Sequence, residues 1–120
     1  MNVYDEKEVK KQLSKDLMAL GAAAPAYHGA ESLRELLAYL QRYCAPYLRG
    51  LVQKGAIRSF RFGISPMFFF NPKVRVVCKN GHSVDLALAG LYKIQRHFLG
   101  GKHERTFFLP RVGPHGLVPR

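Results

Sequence analysis

The chain contains no tryptophan and only two cysteines, Cys44 and Cys78. Two cysteines are too few for the disulfide framework that stabilises small secreted domains, so we expect two separate buried thiols. No apolar run approaches the roughly 18 residues that a membrane-spanning helix requires. The charged N-terminal segment has no hydrophobic stretch of the kind found in signal peptides. These absences predict a protein of the cytoplasm, or of the nucleus if the source is eukaryotic or viral, with no membrane contact.

Acidic residues are scarce in most of the chain, since residues 36–120 contain only Asp85 and Glu104. General acid–base catalysis and metal-dependent hydrolysis usually need several carboxylates that converge on one point. The glycine-rich patterns that bind nucleotide phosphates, G-x-G-x-x-G and G-x-x-x-x-G-K, do not occur. We therefore predict a protein that is not an enzyme, with no catalytic residues and no cofactor.

The cysteines and histidines do not form the pattern of a metal site. Structural zinc sites use tight pairs such as C-x2-C together with H-x3-5-H. The pairs in this chain are Cys78-x3-His82, which mixes the two ligand types, and His97-x5-His103, which lies at the upper limit of the histidine spacing but has no C-x2-C pair beside it. We predict no metal site.

Positive charge is concentrated after residue 35. The whole chain has a formal net charge of +11, and residues 1–35, with six acidic and five basic residues, contribute none of the excess. Residues 36–120 carry fourteen Lys and Arg. A charge of this size creates a field that attracts polyanions.

The length of 120 residues fits a single domain, to which we assign residues 1–116. The last four residues, Leu117 to Arg120, match the remnant that thrombin leaves when it cuts its engineered recognition sequence. We expect residues 117–120 to be such a remnant and to lie outside the fold.

Hydrophobic periodicity predicts an α+β fold, with an N-terminal layer of two to three helices packed on a small, mainly antiparallel sheet. Apolar residues recur at helical spacing over residues 5–20 and 33–43, and Gly21 is the expected end of the first helix. Pro46 is acceptable as the first residue of a short third helix, which we expect over residues 47–54 with Gly55 as its C-cap. Within residues 56–88, apolar and basic side chains are interleaved over residues 57–62 and again over residues 73–79, as in a half-buried sheet.

Asn80-Gly81 is the strongest hairpin signal in the chain and predicts a type I′ turn. Two interpretations of the following segment compete. Residues 83–88 alternate well enough to form the return strand, whereas Ser83 could instead cap a helix that continues to residue 99. We favour a return strand to about Leu88 and then a helix or turn, because Gly90 weakens a continuous helix by roughly 1 kcal/mol relative to Ala. Residues 104–109 predict a final short strand that Pro110 closes.

Nucleic-acid binding is the function that the charge pattern favours. Lys and Arg clustered on one sheet face would neutralise phosphates, and neighbouring aromatic rings would stack on unpaired bases. We predict a non-catalytic protein that binds DNA or RNA through such a basic, aromatic-interleaved face. The predicted phosphate-binding residues are Arg58, Arg61, Lys73, Arg75, Lys79, Lys93, Arg96, Lys102 and Arg105. The predicted stacking residues are Phe60, Phe62, Tyr92 and Phe107.

The alternative is an assembly or adaptor subunit that binds an acidic protein partner, or a second copy of itself, without nucleic acid. The apolar faces of the first two helices, or the Met-Phe-Phe-Phe run of residues 67–70, would then form an interface instead of a core.

Overall fold

The N-terminal part of the chain is helical, as its apolar periodicity predicts. A computed structural model describes residues 6–28, 33–65, 71–95, 107–108, 111–114 and 116–118. Its helices are α1 (Glu6–Ala23), α2 (Leu33–Tyr43) and α3 (Ala45–Gln53). Along α1, Val9, Leu13 and Leu17 recur every four residues and are buried, so that one stripe of the helix faces the core. Within the described residues, none of the helices has the length and apolar composition to cross a lipid bilayer.

Gly21 does not end α1, and this prediction was wrong. The helix continues for two more residues to Ala23, with Gly21 buried in its last turn. A Cβ atom added to Gly21 would lie 2.1 Å from the carbonyl oxygen of Leu91 and 3.2 Å from the Cα atom of Tyr92. The residue is therefore glycine because the end of α1 crosses directly over this backbone, and not because the helix stops there.

Helix α3 ends before Gly55 as the sequence predicts, but it begins at Ala45, one residue before Pro46. Pro46 lies in its first turn, where the missing N–H group has no helical acceptor in any case. After its last turn, Gly55 adopts a left-handed conformation with φ of 77°. The Gly55 N–H group donates to the Val52 carbonyl, and the Ala56 N–H group donates to the Leu51 carbonyl. This paired arrangement is a Schellman motif, which satisfies the carbonyls at a helix end.

An antiparallel sheet follows the helices, and the predicted α+β layout is confirmed. Its strands lie in the spatial order β4-β3-β2-β7-β8, and β6 also pairs with β2. Two further short strands, β1 and β5, pair with each other in parallel, apart from this sheet. The strands are β1 (Tyr27–His28), β2 (Ser59–Ser65), β3 (Asn71–Val77), β4 (Ser83–Ala87), β5 (Ile94–Gln95), β6 (Phe107–Phe108), β7 (Arg111–Gly113) and β8 (Gly116–Val118).

The core lies between the helices and one face of this sheet. The even-numbered residues of β2 and β3 supply the sheet side of the core, and leucines of the three helices supply the other side. Each large apolar side chain that is fully buried stabilises the fold by roughly 1.5–3 kcal/mol relative to an exposed one. Buried members of this cluster include Leu17, Leu36, Leu40, Leu48, Phe60, Phe62, Ile64, Val74 and Val76.

The hairpin predicted at Asn80-Gly81 is present, but its turn is longer than a two-residue type I′ turn. The Cys78 N–H group donates to the His82 carbonyl, and the Gly81 N–H group donates back to the Cys78 carbonyl. Three residues, from Lys79 to Gly81, therefore form the loop, and Gly81 is left-handed with φ of 90°. Three-residue loops of this kind need one left-handed residue at their end, which explains the glycine.

The segment after the hairpin follows the favoured interpretation as far as it is described. Residues 83–87 form the return strand β4, a single turn of 3-10 helix follows at Leu88–Gly90, and β5 comes next. A continuous helix from Ser83 is therefore excluded up to Gln95. Residues 96–99 lie outside the described residues, as does the Met-Phe-Phe-Phe run.

The C-terminal segment adds more strand structure than the sequence predicts. Strand β6 lies within the predicted strand at residues 104–109, but pairing does not end with Pro110, because β7 and β8 follow it. Leu117 and Val118, which match a thrombin-site remnant in sequence, pair in β8 with Val112 and Arg111. This segment therefore extends one edge of the sheet.

We predict that Gly21→Ala and Gly50→Ala change stability in opposite directions. The added methyl group at Gly21 collides with the Leu91 carbonyl, so the free energy of unfolding should fall by about 1–3 kcal/mol or more. Gly50 lies within α3 with no atom near its added Cβ, so alanine there should raise stability by roughly 0.5–1 kcal/mol. Urea denaturation of both variants measures the difference, and equal effects would contradict the close crossing of α1 over Leu91.

Candidate nucleic-acid interface

Strand alternation places the charged residues of β2 and β3 on the sheet face opposite the core. Phe60 and Phe62 are buried, and Arg61 between them is half-buried. Val74 and Val76 are likewise buried on either side of the half-buried Arg75. Successive side chains of a strand point to opposite faces, so these arginines lie on the face away from the helices. We call this surface the outer face.

Arg61, Arg75 and Asp85 lie side by side across the outer face. Arg61 pairs with Arg75 in the β2–β3 register, and Arg75 pairs with Asp85 in the β3–β4 register. Neighbouring strands are roughly 4.8 Å apart, so the three charged groups form one line perpendicular to the strands.

Strand β7 continues this line with a residue that the sequence analysis missed. Phe60 pairs with Val112, so the antiparallel register brings Arg111 beside Arg61. Arg111 is exposed. We call Arg111, Arg61 and Arg75 the arginine row. The clue to Arg111 was the sequence Arg-Val-Gly after Pro110, but only the pairing of β7 with β2 shows which positions become neighbours.

Asp85 holds two of the cations on the outer face. Its carboxylate accepts two hydrogen bonds from Arg75, at 2.8 Å from Nε and 3.0 Å from Nη2. The Lys73 ammonium lies 3.5 Å from the same carboxylate. The hydrogen bonds from Arg75 hold the pKa of Asp85 below its usual value, and Asp85 in turn raises the pKa of Arg75. At neutral pH this group is therefore ionised and fixes the orientation of the Arg75 guanidinium.

Arg58 and Lys79 lie at the hairpin end of the sheet and not in the arginine row. Both are exposed, and Arg58 Nη2 donates to the Lys79 carbonyl at 3.0 Å. Together they border a shallow pocket of about 350 Å³ next to the end of α3. They add two cations at one end of the basic region.

Lys93 lies away from the sheet cations. Its ammonium donates to the Ala22 carbonyl at 3.1 Å, and its own carbonyl accepts from the Tyr27 N–H group. Lys93 thus donates to one of the last carbonyls of α1, which have no hydrogen-bond partner within the helix. The other predicted phosphate-binding residues, Arg96, Lys102 and Arg105, lie outside the described residues.

The predicted stacking role does not hold for three of the four aromatic residues. Phe60, Phe62 and Tyr92 are 0%, 2% and 3% exposed, so their rings cannot contact a base in the folded chain. The Tyr92 hydroxyl donates to the Tyr43 carbonyl and anchors the ring inside the core. The alternation that exposes Arg61 necessarily buries its two neighbours, so phenylalanines and arginines cannot share a face. Phe107 pairs with Ile64 in register, and its side chain lies outside the described residues.

Cysteines and histidines do not converge in the described part of the chain. Cys78 is buried, whereas the exposed His82 ring contacts the Glu6 carboxylate at 2.8 Å. Residues 6–28, 33–65 and 71–95 and the short C-terminal strands contain no group of three metal-ligating side chains. Burial raises the pKa of the Cys44 thiol to about 12 and also raises that of Cys78. Both thiols are therefore neutral at physiological pH, and a neutral thiol is a weak nucleophile.

Comparisons of the chain with protein-family models, with curated proteins and with solved structures found no match. Its function must therefore be inferred from the geometry and charge of its own surface.

We predict that Asp85→Asn lowers stability at neutral pH by at most about 1 kcal/mol, since the ion pair is partly exposed. The folded-state pKa of Asp85 is lowered, so its contribution is complete above the unfolded pKa near 4 and is lost as the pH falls through the folded pKa. The stability difference between the wild type and the variant should therefore shrink in acid. Urea denaturation across this pH range measures it.

A double-mutant cycle with Arg75→Gln supplies the control for this prediction. In the Arg75→Gln background, Asp85→Asn should have a smaller effect and a weaker pH dependence. An undiminished effect would show that Asp85 acts on stability through some other group.

Proposed function

We propose that this protein is a non-catalytic nucleic-acid-binding protein that contacts phosphates through its outer face. The observation that supports this most is the arginine row, in which three arginines occupy neighbouring positions on adjacent strands. Lys73 lies on the same face, and Arg58 and Lys79 extend the positive region at the hairpin end.

Arginine suits this role because of its geometry. Its planar guanidinium presents several N–H groups that match the oxygens of a phosphate, and it remains charged at any physiological pH. Strand pairing holds the guanidinium-bearing residues at a regular spacing, so a polyanionic backbone can cross the sheet along the row. The net charge of +11 increases the rate of encounter with any such polymer.

The expected mode of binding is contact with the backbone and not with the bases. None of the described aromatic side chains of β2 and β3 lies on the outer face, because their rings are in the core. Phosphate contacts carry no sequence information and depend strongly on salt. We therefore expect binding that tolerates sequence and weakens steeply as ionic strength rises.

Arg61→Gln together with Arg111→Gln should weaken binding and reduce its salt dependence. Each phosphate contact that is lost lowers the slope of log affinity against log salt by about 1. These positions are preferable to Arg75, whose loss would leave Asp85 without its main partner. Fluorescence anisotropy with labelled single- and double-stranded DNA and RNA, over a range of salt concentrations, measures both effects.

The matched control removes the same charge from a different surface. Lys10→Gln with Lys11→Gln takes two exposed cations from α1, on the helical side of the molecule. This pair should leave the salt slope nearly unchanged. Equal losses in the two double variants would mean that only net charge matters, and the proposed interface would be wrong.

Asp85→Asn should strengthen binding, although it lowers stability. The carboxylate competes with phosphate for Arg75 and Lys73 and cancels part of the local positive charge. The asparagine variant should therefore bind more tightly at low salt and show a steeper salt dependence in the same anisotropy titration. Weaker binding would indicate that Asp85 is needed to orient Arg75 towards the ligand.

Assembly on another protein is the second candidate function, and one observation favours it. Met18 and Leu20 are 54% and 39% exposed on α1. Leu20 also borders a groove of about 300 Å³ that Tyr43 and Tyr47 line from α2 and α3. Replacing Met18 and Leu20 by serine should abolish capture of an acidic protein partner without altering nucleic-acid affinity. If the wild-type chain shows no nucleic-acid binding near 0.15 M salt, this candidate becomes the stronger one.

A further inference from the structure

Strand β4 is an edge of the sheet. It pairs with β3 on one side, and no described strand pairs with it on the other. Helix α1 packs near β4, and Glu6 of α1 reaches the hairpin loop before it through His82. The open side of β4 is therefore a row of backbone groups at the rim of the outer face.

The hydrogen-bond pattern shows which backbone groups point outward. The Cys78 N–H group bonds towards β4, whereas the Val77 carbonyl accepts from Arg58 on the β2 side. Alternation along an antiparallel ladder then directs Val84 and Leu86 towards β3. The N–H and C=O groups of Ser83, Asp85 and Ala87 consequently point away from the sheet.

Within the described residues, this edge has little of the protection that edge strands normally carry. Natural edges are blunted by proline, by lysine, by a bulge or by a covering segment. Ser83 and Ala87 are exposed, small and uncharged. The single charged residue of β4 is Asp85, and Arg75 holds its carboxylate on the outer face.

We propose that β4 is the docking strand for a second copy of this chain, with the two β4 strands pairing antiparallel about a twofold axis at Asp85. In this register Asp85 lies opposite the partner's Asp85, and Ser83 lies opposite the partner's Ala87. Every outward N–H group then meets an outward carbonyl of the other chain. Registers centred on Val84 or Leu86 would leave some of these groups without partners.

The distribution of charge favours β4 over the rest of the outer face as the place where two copies meet. The described cations of that face lie on β3, β2 and β7, whereas its acidic residue lies on β4. Two chains that each carry +11 therefore repel each other least when their β4 edges meet. The repulsion between the two carboxylates at the axis is reduced, because each is held by its own Arg75 and lies near its own Lys73.

The dimer would join two outer faces into one surface. In-plane pairing of strands preserves the alternation of side chains, so the two arginine rows lie on the same side and in line. If the outer face binds nucleic acid as proposed, the dimer doubles the number of phosphate contacts available to one ligand. The pairing itself does not depend on that function.

Ala87→Pro tests the interface with little effect on the chain's own bonds. Ala87 has φ of −81° and ψ of 116°, which proline tolerates, and its N–H group points to the open edge. Analytical ultracentrifugation from micromolar to near-millimolar concentration should give the wild type twice the 13.6 kDa mass of one chain at the upper end. The proline variant should remain a monomer, and the matched Ala87→Thr variant, which keeps the N–H group, should dimerise like the wild type.

The proposal is overturned if the wild type stays monomeric throughout, or if the proline variant folds and still dimerises. If the wild type is monomeric, the candidate occupant of the β4 edge becomes an extended peptide of another protein. If the proline variant does not fold, amide hydrogen exchange of the wild type tests the pairing of β4.

The amides of Ser83, Asp85 and Ala87 should become protected as the protein concentration rises. Unchanged exchange would refute pairing at β4. The dimer is measured by ultracentrifugation without nucleic acid, whereas nucleic-acid binding is measured by anisotropy. A failure of the proposed function would therefore leave the test of dimerisation unaffected.

Discussion

The pairing register of β2 with β3 decides which side chains of the sheet are buried against the helices and which lie on the outer face. The ladder runs from Ser59 opposite Val77 to Ser65 opposite Asn71 without a break. It aligns the buried positions of both strands on one face, where the helices pack, and leaves Arg61 opposite Arg75 on the other. A slip of one residue would turn the phenylalanines out and the arginines into the core, so burial of the aromatic rings also specifies the outer face.

The arginines of the outer face repel one another, and a nearby carboxylate offsets part of this repulsion. Arginines on adjacent strands repel one another, and such like-charged neighbours destabilise a sheet. Asp85 offsets part of this repulsion at one end of the row by binding Arg75 on two points. Arg61 and Arg111 lie farther along, beyond Arg75. The negative charge of the outer face therefore lies at β4, and its described cations lie on β3, β2 and β7.

Helix packing shows how one small residue sets the position of a whole element. Helix α1 can approach the backbone at Leu91 only because Gly21 has no side chain. That approach brings the end of α1 beside Tyr92, whose hydroxyl bonds to Tyr43 at the end of α2. Lys93 then closes the contact by donating to the Ala22 carbonyl. The segment after β4 therefore links the helical layer to the sheet.

Local periodicity in the sequence is enough to predict the three helices, the β3–β4 hairpin and the fold class, although not the short strands β1, β5, β7 and β8. The fourfold spacing of Val9, Leu13 and Leu17, the proline and glycine at the ends of α3 and the alternation in β2 each specify local structure without reference to distant residues. The roles of Gly21, Phe60, Phe62 and Arg111 depend instead on contacts between elements that are distant in the sequence. A helix-ending glycine and a close-packing glycine look alike in sequence, and the pairing of β7 with β2 joins residues about fifty positions apart. Periodicity reports which face a residue occupies, but not which strand comes to lie beside it.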